Sequence, residues 1–178
     1  LSSSSAASDV YKRQVLNNGD LVLIDAGCEY KNYAADITRT FPVNGKFTQE
    51  QSAIYDVVLK AQLDAIATIG PGIEYNKTNE ATILAITQGL VDLDILKGEV
   101  QELIGNEAHR QFYMHGAGHW LGMDVHDVGD YKVDGQWRVY EPGMVVTIEP
   151  GIYIAPGTPD VDERWHGIAI RIEDDIVV

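Results

Sequence analysis

Two carboxylates stand inside runs that otherwise read as buried strand. In LVLIDAGCEYKNYAADITRTF, residues 21–41, Asp25 and Asp36 interrupt apolar and β-branched residues. An unpaired charge on a buried face is costly, so a chain that carries two must expose that face, neutralise the acids or place cations between them. The turn formers Asn17-Asn18-Gly19-Asp20 precede the first run, and Glu29 to Asn32 join the two runs, which predicts a hairpin. If Asp25 and Asp36 oppose each other directly, the loop centres between Tyr30 and Lys31, and their Cβ atoms lie about 4.5–5.5 Å apart on one face. The ordinary place for such a pair is a wet hairpin face.

Further acids argue against the ordinary reading. MVVTIEPG ends an apolar run in Glu149, and IAIRIEDD ends another in Glu173, whereas Asp174 and Asp175 read as an exposed strand end. Between these runs lies MHGAGHWLGMDVHDVG, residues 114–129, which holds His115, His119 and His126 out of five histidines in the chain. Its glycines allow backbone to pass close to a ligand or a neighbouring strand, and three imidazoles so close together point to a site. Four carboxylates and one imidazole carry a charge of about −4, which two divalent cations cancel. Oxygen-rich ligation favours Mn²⁺, with Co²⁺, Zn²⁺ and Fe²⁺ as competitors. Cys28 is the only cysteine, so a thiolate zinc finger and an intrachain disulfide are both excluded. A reducing, cytoplasmic compartment follows as the expectation.

The rest of the chain reads as α+β. Thr48 and Gln51 are spaced as a capping box ahead of a helix whose inner face carries Ile54, Val57, Val58, Ala61 and Ala65, and which ends at Gly70-Pro71-Gly72. A second helix is expected over Lys77 to Leu93 and a short third over Val100 to Glu107. The runs QFYM, MVVTIE, IYIA and IAIRIE, broken by Gly and Pro, read as an antiparallel sheet. Hairpin, helices and then sheet is an α+β order. The net charge of −14 argues against a nucleic-acid partner, and no apolar run approaches the roughly eighteen residues a membrane span needs. Residues 1–14, LSSSSAASDVYKRQ, lack periodicity, and DVYKRQ resembles a translated sequencing adapter; they read as foreign to the fold. Residues 15–178 then read as part of a C-terminal catalytic domain, truncated at both ends.

At IDAGCEYKNYAADITRTFPVNGKFT, HGAGHWLGMDVHDVG, EPGMVVTIEPGIYI and GIAIRIEDD, in that order, the chain resembles the pita-bread metallopeptidases, in particular their aminopeptidase P (Xaa-Pro aminopeptidase) branch. The resemblance covers residues 15–178. It implies that Asp25 is terminal on one metal, that Asp36 and Glu173 bridge both metals, and that His119 and Glu149 complete the second. It also implies that Glu149 takes a proton from the attacking water, that His115 and His126 bind substrate and stabilise the scissile carbonyl, and that Arg171 orients a ligand carboxylate. The implied reaction removes the first residue of a peptide with Pro in second position. Prolidase, acting on Xaa-Pro dipeptides, and methionine aminopeptidase share the five ligands, and a catalytically silent binding module of the same fold is the alternative from another class. Relatives of this kind are often homo-oligomers, although no stretch of this sequence marks such a surface. His109 and His166 carry no expected role and read as surface residues.

Overall fold

The computed structural model describes residues 15–178; the stretch expected to be foreign, residues 1–14, lies outside the described residues. Strands β1 (Leu21–Ala26) and β4 (Ile37–Pro42) pair antiparallel with Asp25 opposite Thr38. Direct opposition of Asp25 and Asp36 is therefore corrected by two residues. The cause is a second, smaller hairpin at the tip, β2 (Glu29–Tyr30) with β3 (Tyr33–Ala34), which turns at Lys31-Asn32. Both turn residues have positive φ, 52° and 64°, as a tight type I′ turn requires. A shift of two preserves the face, because side chains alternate with period two. At the junction of the two hairpins a Cβ on Gly27 would lie 1.7 Å from the Ala35 carbonyl oxygen, so only glycine lets the strands close there.

In β4 the alternation is inverted relative to a wet polar face. Thr38 and Thr40 are buried, while Arg39 and Phe41 are exposed. Asp36, one residue before the strand, is only 8% exposed. The wet-face reading thus fails for Asp36 and holds only for Asp25, which is exposed.

Helix α1 (Gln49–Ile66) starts at the expected capping box: Thr48 Oγ1 accepts from the Gln51 N–H, and the Gln51 side chain accepts from the Thr48 N–H. Its buried face carries Ile54, Val58, Ala61 and Ala65, and burying a large aliphatic side chain contributes about 1.5–3 kcal/mol. Val57 sits at the rim, against Gly89 of α2 (Asn76–Asp92), where the glycine permits close helix contact. Buried Thr82 and Thr87 of α2 donate to the carbonyls one turn back, Thr78 at 2.9 Å and Ile83 at 2.7 Å, which satisfies hydroxyls that would otherwise be stranded. A short α3 (Val100–Gly105) and a 3-10 turn at Ala108–Gln111 lead into the C-terminal half.

That half contains antiparallel pairs: β5 (Lys132–Val133) with β6 (Gln136–Trp137), β7 (Val145–Ile148) with β10 (Asp174–Val177), and β8 (Gly151–Tyr153) with β9 (Ala169–Arg171). The expected strand at QFYM does not form. Phe112 and Tyr113 are buried, but that segment joins the sheet through one bond, from the Tyr153 N–H to the Phe112 carbonyl. The main core packs α1 and α2 against Ile152, Ile168, Ile170 and Ile172, and a smaller cluster joins Trp120, Tyr140, Val146 and Ile148. Among the described residues, no helix is long and apolar enough to cross a membrane.

Candidate metal centre

Backbone pairing brings the five expected ligands together. Gly118 approaches β7 so closely that a Cβ on it would lie 1.8 Å from the Thr147 carbonyl oxygen. This close approach lets His119 exchange bonds with Thr147: the Thr147 N–H donates to the His119 carbonyl at 2.9 Å, and the His119 N–H donates to Thr147 Oγ1 at 3.0 Å. Two residues along, the Glu149 N–H donates to the Ala117 carbonyl. The glycine-rich loop therefore lies antiparallel beside β7, bridged to it at Trp120 and Val146, and sets His119 next to Glu149. Glu173, at the break between β9 and β10, is bridged to Thr38 of β4, its N–H donating to the Thr38 carbonyl at 3.1 Å.

The side chains then converge. Ligand atoms of Asp25, Asp36 and Glu173 lie within 4.8 Å of one another, as do those of His119, Glu149 and Glu173, and those of Asp36, His119 and His126. His119 Nε2 is 3.6 Å from both Asp36 Oδ2 and Glu149 Oε1. Its Nδ1 is 3.0 Å from the Trp120 carbonyl, which fixes the proton there and leaves the Nε2 lone pair facing the carboxylates. His126 stacks edge-on against His119, with ring centroids 4.3 Å apart, and is exposed at the mouth. The donor set is rich in oxygen with one aimed imidazole nitrogen, and it fits hard or borderline divalent cations.

Residues that the sequence reading passed over support these groups. Thr38 is fully buried, and its Oγ1 donates to Glu173 Oε2 at 2.6 Å while accepting from Arg171 Nε at 3.1 Å. Arg171 also forms an ion pair through Nη2 with Asp25, one of the candidate ligands. The Tyr153 hydroxyl, with Arg171 Nη1 at 3.4 Å, is 2.8 Å from His115 Nε2, and His115 Nδ1 is 2.9 Å from the Gly116 carbonyl. His126 thus meets the cluster at His119, and His115 meets it through Tyr153 and Arg171. Thr38 had a readable signal: Asp36, Thr38 and Thr40 form a polar stripe at period two. Tyr153 had none.

Expectations at four residues are corrected. Asp174 is not a free strand end, since its carboxylate meets Arg39 at 2.6 Å and Gln62 at 2.9 Å. Asp175 turns back to the site and accepts the Asp36 N–H at 3.2 Å. His109 is buried, 5% exposed, rather than on the surface; His166 is half-buried, accepting the Gly157 N–H at Nδ1 and donating from Nε2 to the Val161 carbonyl.

Without cations the cluster is electrostatically strained. Burial pushes the Glu149 carboxyl up to about 7, with Arg171 opposing and Asp36 and Asp25 adding to the rise. Burial likewise pushes Glu173 up to about 7 against the Thr38 hydrogen bond. Asp36 is raised by burial, by its hydrogen bond to Asp25 and by the Asp25 charge. A carboxyl raised in the fold binds its proton more tightly there than when unfolded. Its stabilising contribution is complete below the unfolded value, near 4.5, and is lost as pH rises through about 7. The metal-free protein is therefore expected to melt lower as pH rises from about 5 to about 8, and saturating Mn²⁺ should reverse that slope. A chelated melting series shows it; a rising midpoint without metal would contradict the strain.

The profile of metallopeptidase family M24 matches residues 2–178. The Xaa-Pro aminopeptidase of Haemophilus influenzae is 61% identical over 163 residues, which is 92% of this chain and 37% of that protein. That of Escherichia coli is 58% identical over 163 residues, 92% of this chain and 36% of that protein. The solved structure of the Pseudomonas aeruginosa aminopeptidase PepP superposes with a TM-score of 0.92 at 60% identity, covering 93% of this chain and 37% of its own. A zinc-substituted Escherichia coli aminopeptidase P in complex with product superposes with a TM-score of 0.85 at 58% identity, covering 90% and 36%. The chain thus spans little more than a third of the length of these relatives.

Proposed function

The chain belongs to metallopeptidase family M24 and has its α+β pita-bread fold, and from that premise we propose that the whole protein releases the first residue from peptides with Pro in second position. Residues 15–178 would be part of its catalytic domain. The reading also includes two divalent cations, Mn²⁺ first, and a cytoplasmic location in keeping with the single free cysteine, Cys28. One observation carries it: Asp25, Asp36, His119, Glu149 and Glu173 come from separate segments and converge at ligand distance although their charges repel.

In this reading Asp25, Asp36, His119, Glu149 and Glu173 would hold the two cations, Asp36 and Glu173 contributing to both. Divalent cations supply Lewis acidity, lowering the pKa of water and polarising a carbonyl. Glu149 takes the proton from the attacking water and passes it to the departing amine. Arg171 anchors Asp25, and Thr38 fixes one oxygen of Glu173 so that the other faces inward. His126, beside His119, and His115, beside Tyr153, bind the peptide and stabilise charge on the scissile carbonyl oxygen.

The test is turnover by the whole protein loaded with Mn²⁺. Release of the first residue from a tripeptide with Pro second is the expected result. Activity confined to an Xaa-Pro dipeptide would make the protein a prolidase. No release at all, with cations bound, would make it a silent member of the fold.

A further inference from the structure

The three consecutive acids Glu173-Asp174-Asp175 face three ways, and the middle one belongs to a contact outside the cation cluster. Arg39 lies on the exposed side of β4, opposite to Thr38 and Thr40. Its Nη1 donates to two main-chain carbonyls, Glu173 at 2.6 Å and Thr38 at 2.9 Å, and its Nη2 meets Asp174 Oδ1 at 2.6 Å. The other Asp174 oxygen accepts from Gln62 Nε2 at 2.9 Å. Gln62 is on α1, is 2% exposed, and has its Nε2 3.5 Å from the Ile148 carbonyl, one residue before Glu149. A single guanidinium thus grips the backbone at Glu173, and at Thr38 two residues from Asp36, while its carboxylate partner is fixed by a buried amide from the helix.

We propose that Arg39 is a positioning residue for the cation site: with Asp174 and Gln62 it latches β4 to the break between β9 and β10, and so sets the spacing of Asp36 and Glu173. A lone surface ion pair between chains so exposed contributes little, and neither the Arg39 nor the Asp174 side chain is deeply buried, at 47% and 35% exposure. The fork geometry and the two carbonyl acceptors distinguish this contact from such a pair. Divalent cations demand their ligands within a few tenths of an ångström, so a backbone drift at Glu173 translates into lost affinity. Outer contacts that orient metal ligands change affinity by about 10–100-fold.

The sign of the effect separates positioning from charge. Removing a positive side chain near a cation site should strengthen cation binding if electrostatics alone acts. Loss of the latch should weaken it. The proposal rests on the two-cation reading, and its test keeps the two apart by using two readouts on the whole protein. In calorimetric titration with Mn²⁺, Arg39→Met is expected to bind about 10–100-fold more weakly than wild type, and Arg39→Lys, which keeps the charge but not the fork, to recover only part of this. In the chelated protein, hydrogen exchange at the Glu173 amide should accelerate in both variants while the Val146 amide in β7 stays protected. Unchanged or tighter Mn²⁺ binding in Arg39→Met, full recovery in Arg39→Lys, or an unchanged Glu173 amide would each overturn the latch. If wild type itself binds no Mn²⁺, the cation reading falls, and the exchange readout alone decides whether Arg39 holds Glu173.

Discussion

Glu149→Gln is expected to reduce kcat by about 10²–10⁴-fold in the Mn²⁺-loaded whole protein, the range for loss of a general base, and more if cation binding fails with it. The amide keeps the size of the side chain and leaves the main-chain bond to the Ala117 carbonyl intact. What it removes is the carboxylate 3.6 Å from His119 Nε2, which in the proposed mechanism accepts the proton and holds a cation. The same substitution should not harm the fold. Burial disfavours the Glu149 charge, so in chelated protein above about pH 7 the neutral variant is expected to melt at the same temperature as wild type or higher. Turnover within tenfold of wild type would remove Glu149 from the mechanism. A collapse of the metal-free fold would assign it to structure.

Asp36→Ala is expected to have the larger effect on the cations. Asp36 belongs to two of the three ligand groups, one with Asp25 and Glu173 and one with His119 and His126. Among the described residues its loss leaves only His119, Glu149 and Glu173 as a candidate group. Cation binding should fall below detection at the concentrations that saturate wild type, and hydrolysis should disappear with it. Retention of both cations at wild-type affinity would show that Asp36 is not shared between them.

Much of this is legible in the sequence, for reasons that differ from residue to residue. Thr48 and Gln51 announce the start of α1 because a capping box is a local bonding pattern that needs nothing from the rest of the fold. The inner face of that helix follows from its period. The hairpin register did not follow, since Lys31-Asn32 lacks the Asn-Gly signature of a tight turn, and the tip formed a small hairpin of its own. The site survived that error because a shift of two keeps side chains on their face.

Less legible were contacts that depend on distant partners. Asp174 and Asp175 look like a solvated strand end until Gln62, Arg39 and the Asp36 amide are brought beside them. In β4 Thr38 and Thr40 are buried and Phe41 is exposed, the reverse of what hydrophobicity alone suggests. That inversion is a signature of the site: Thr38 and Thr40 bond across to Glu173 and Arg171 instead of to water. The apolar run QFYM is no strand because Phe112 and Tyr113 are buried in the main core, Tyr113 edge-on to His115, and not in a strand ladder.

The central claim is that these acids repel one another in the empty fold and are gathered there for cations. The most direct measurement is the chemical-denaturation stability of chelated Asp36→Ala beside chelated wild type near pH 8. Removal of a repelling charge predicts equal or greater stability for the variant. A loss of about 3–5 kcal/mol, as when one partner of a structural buried ion pair is deleted, would contradict it.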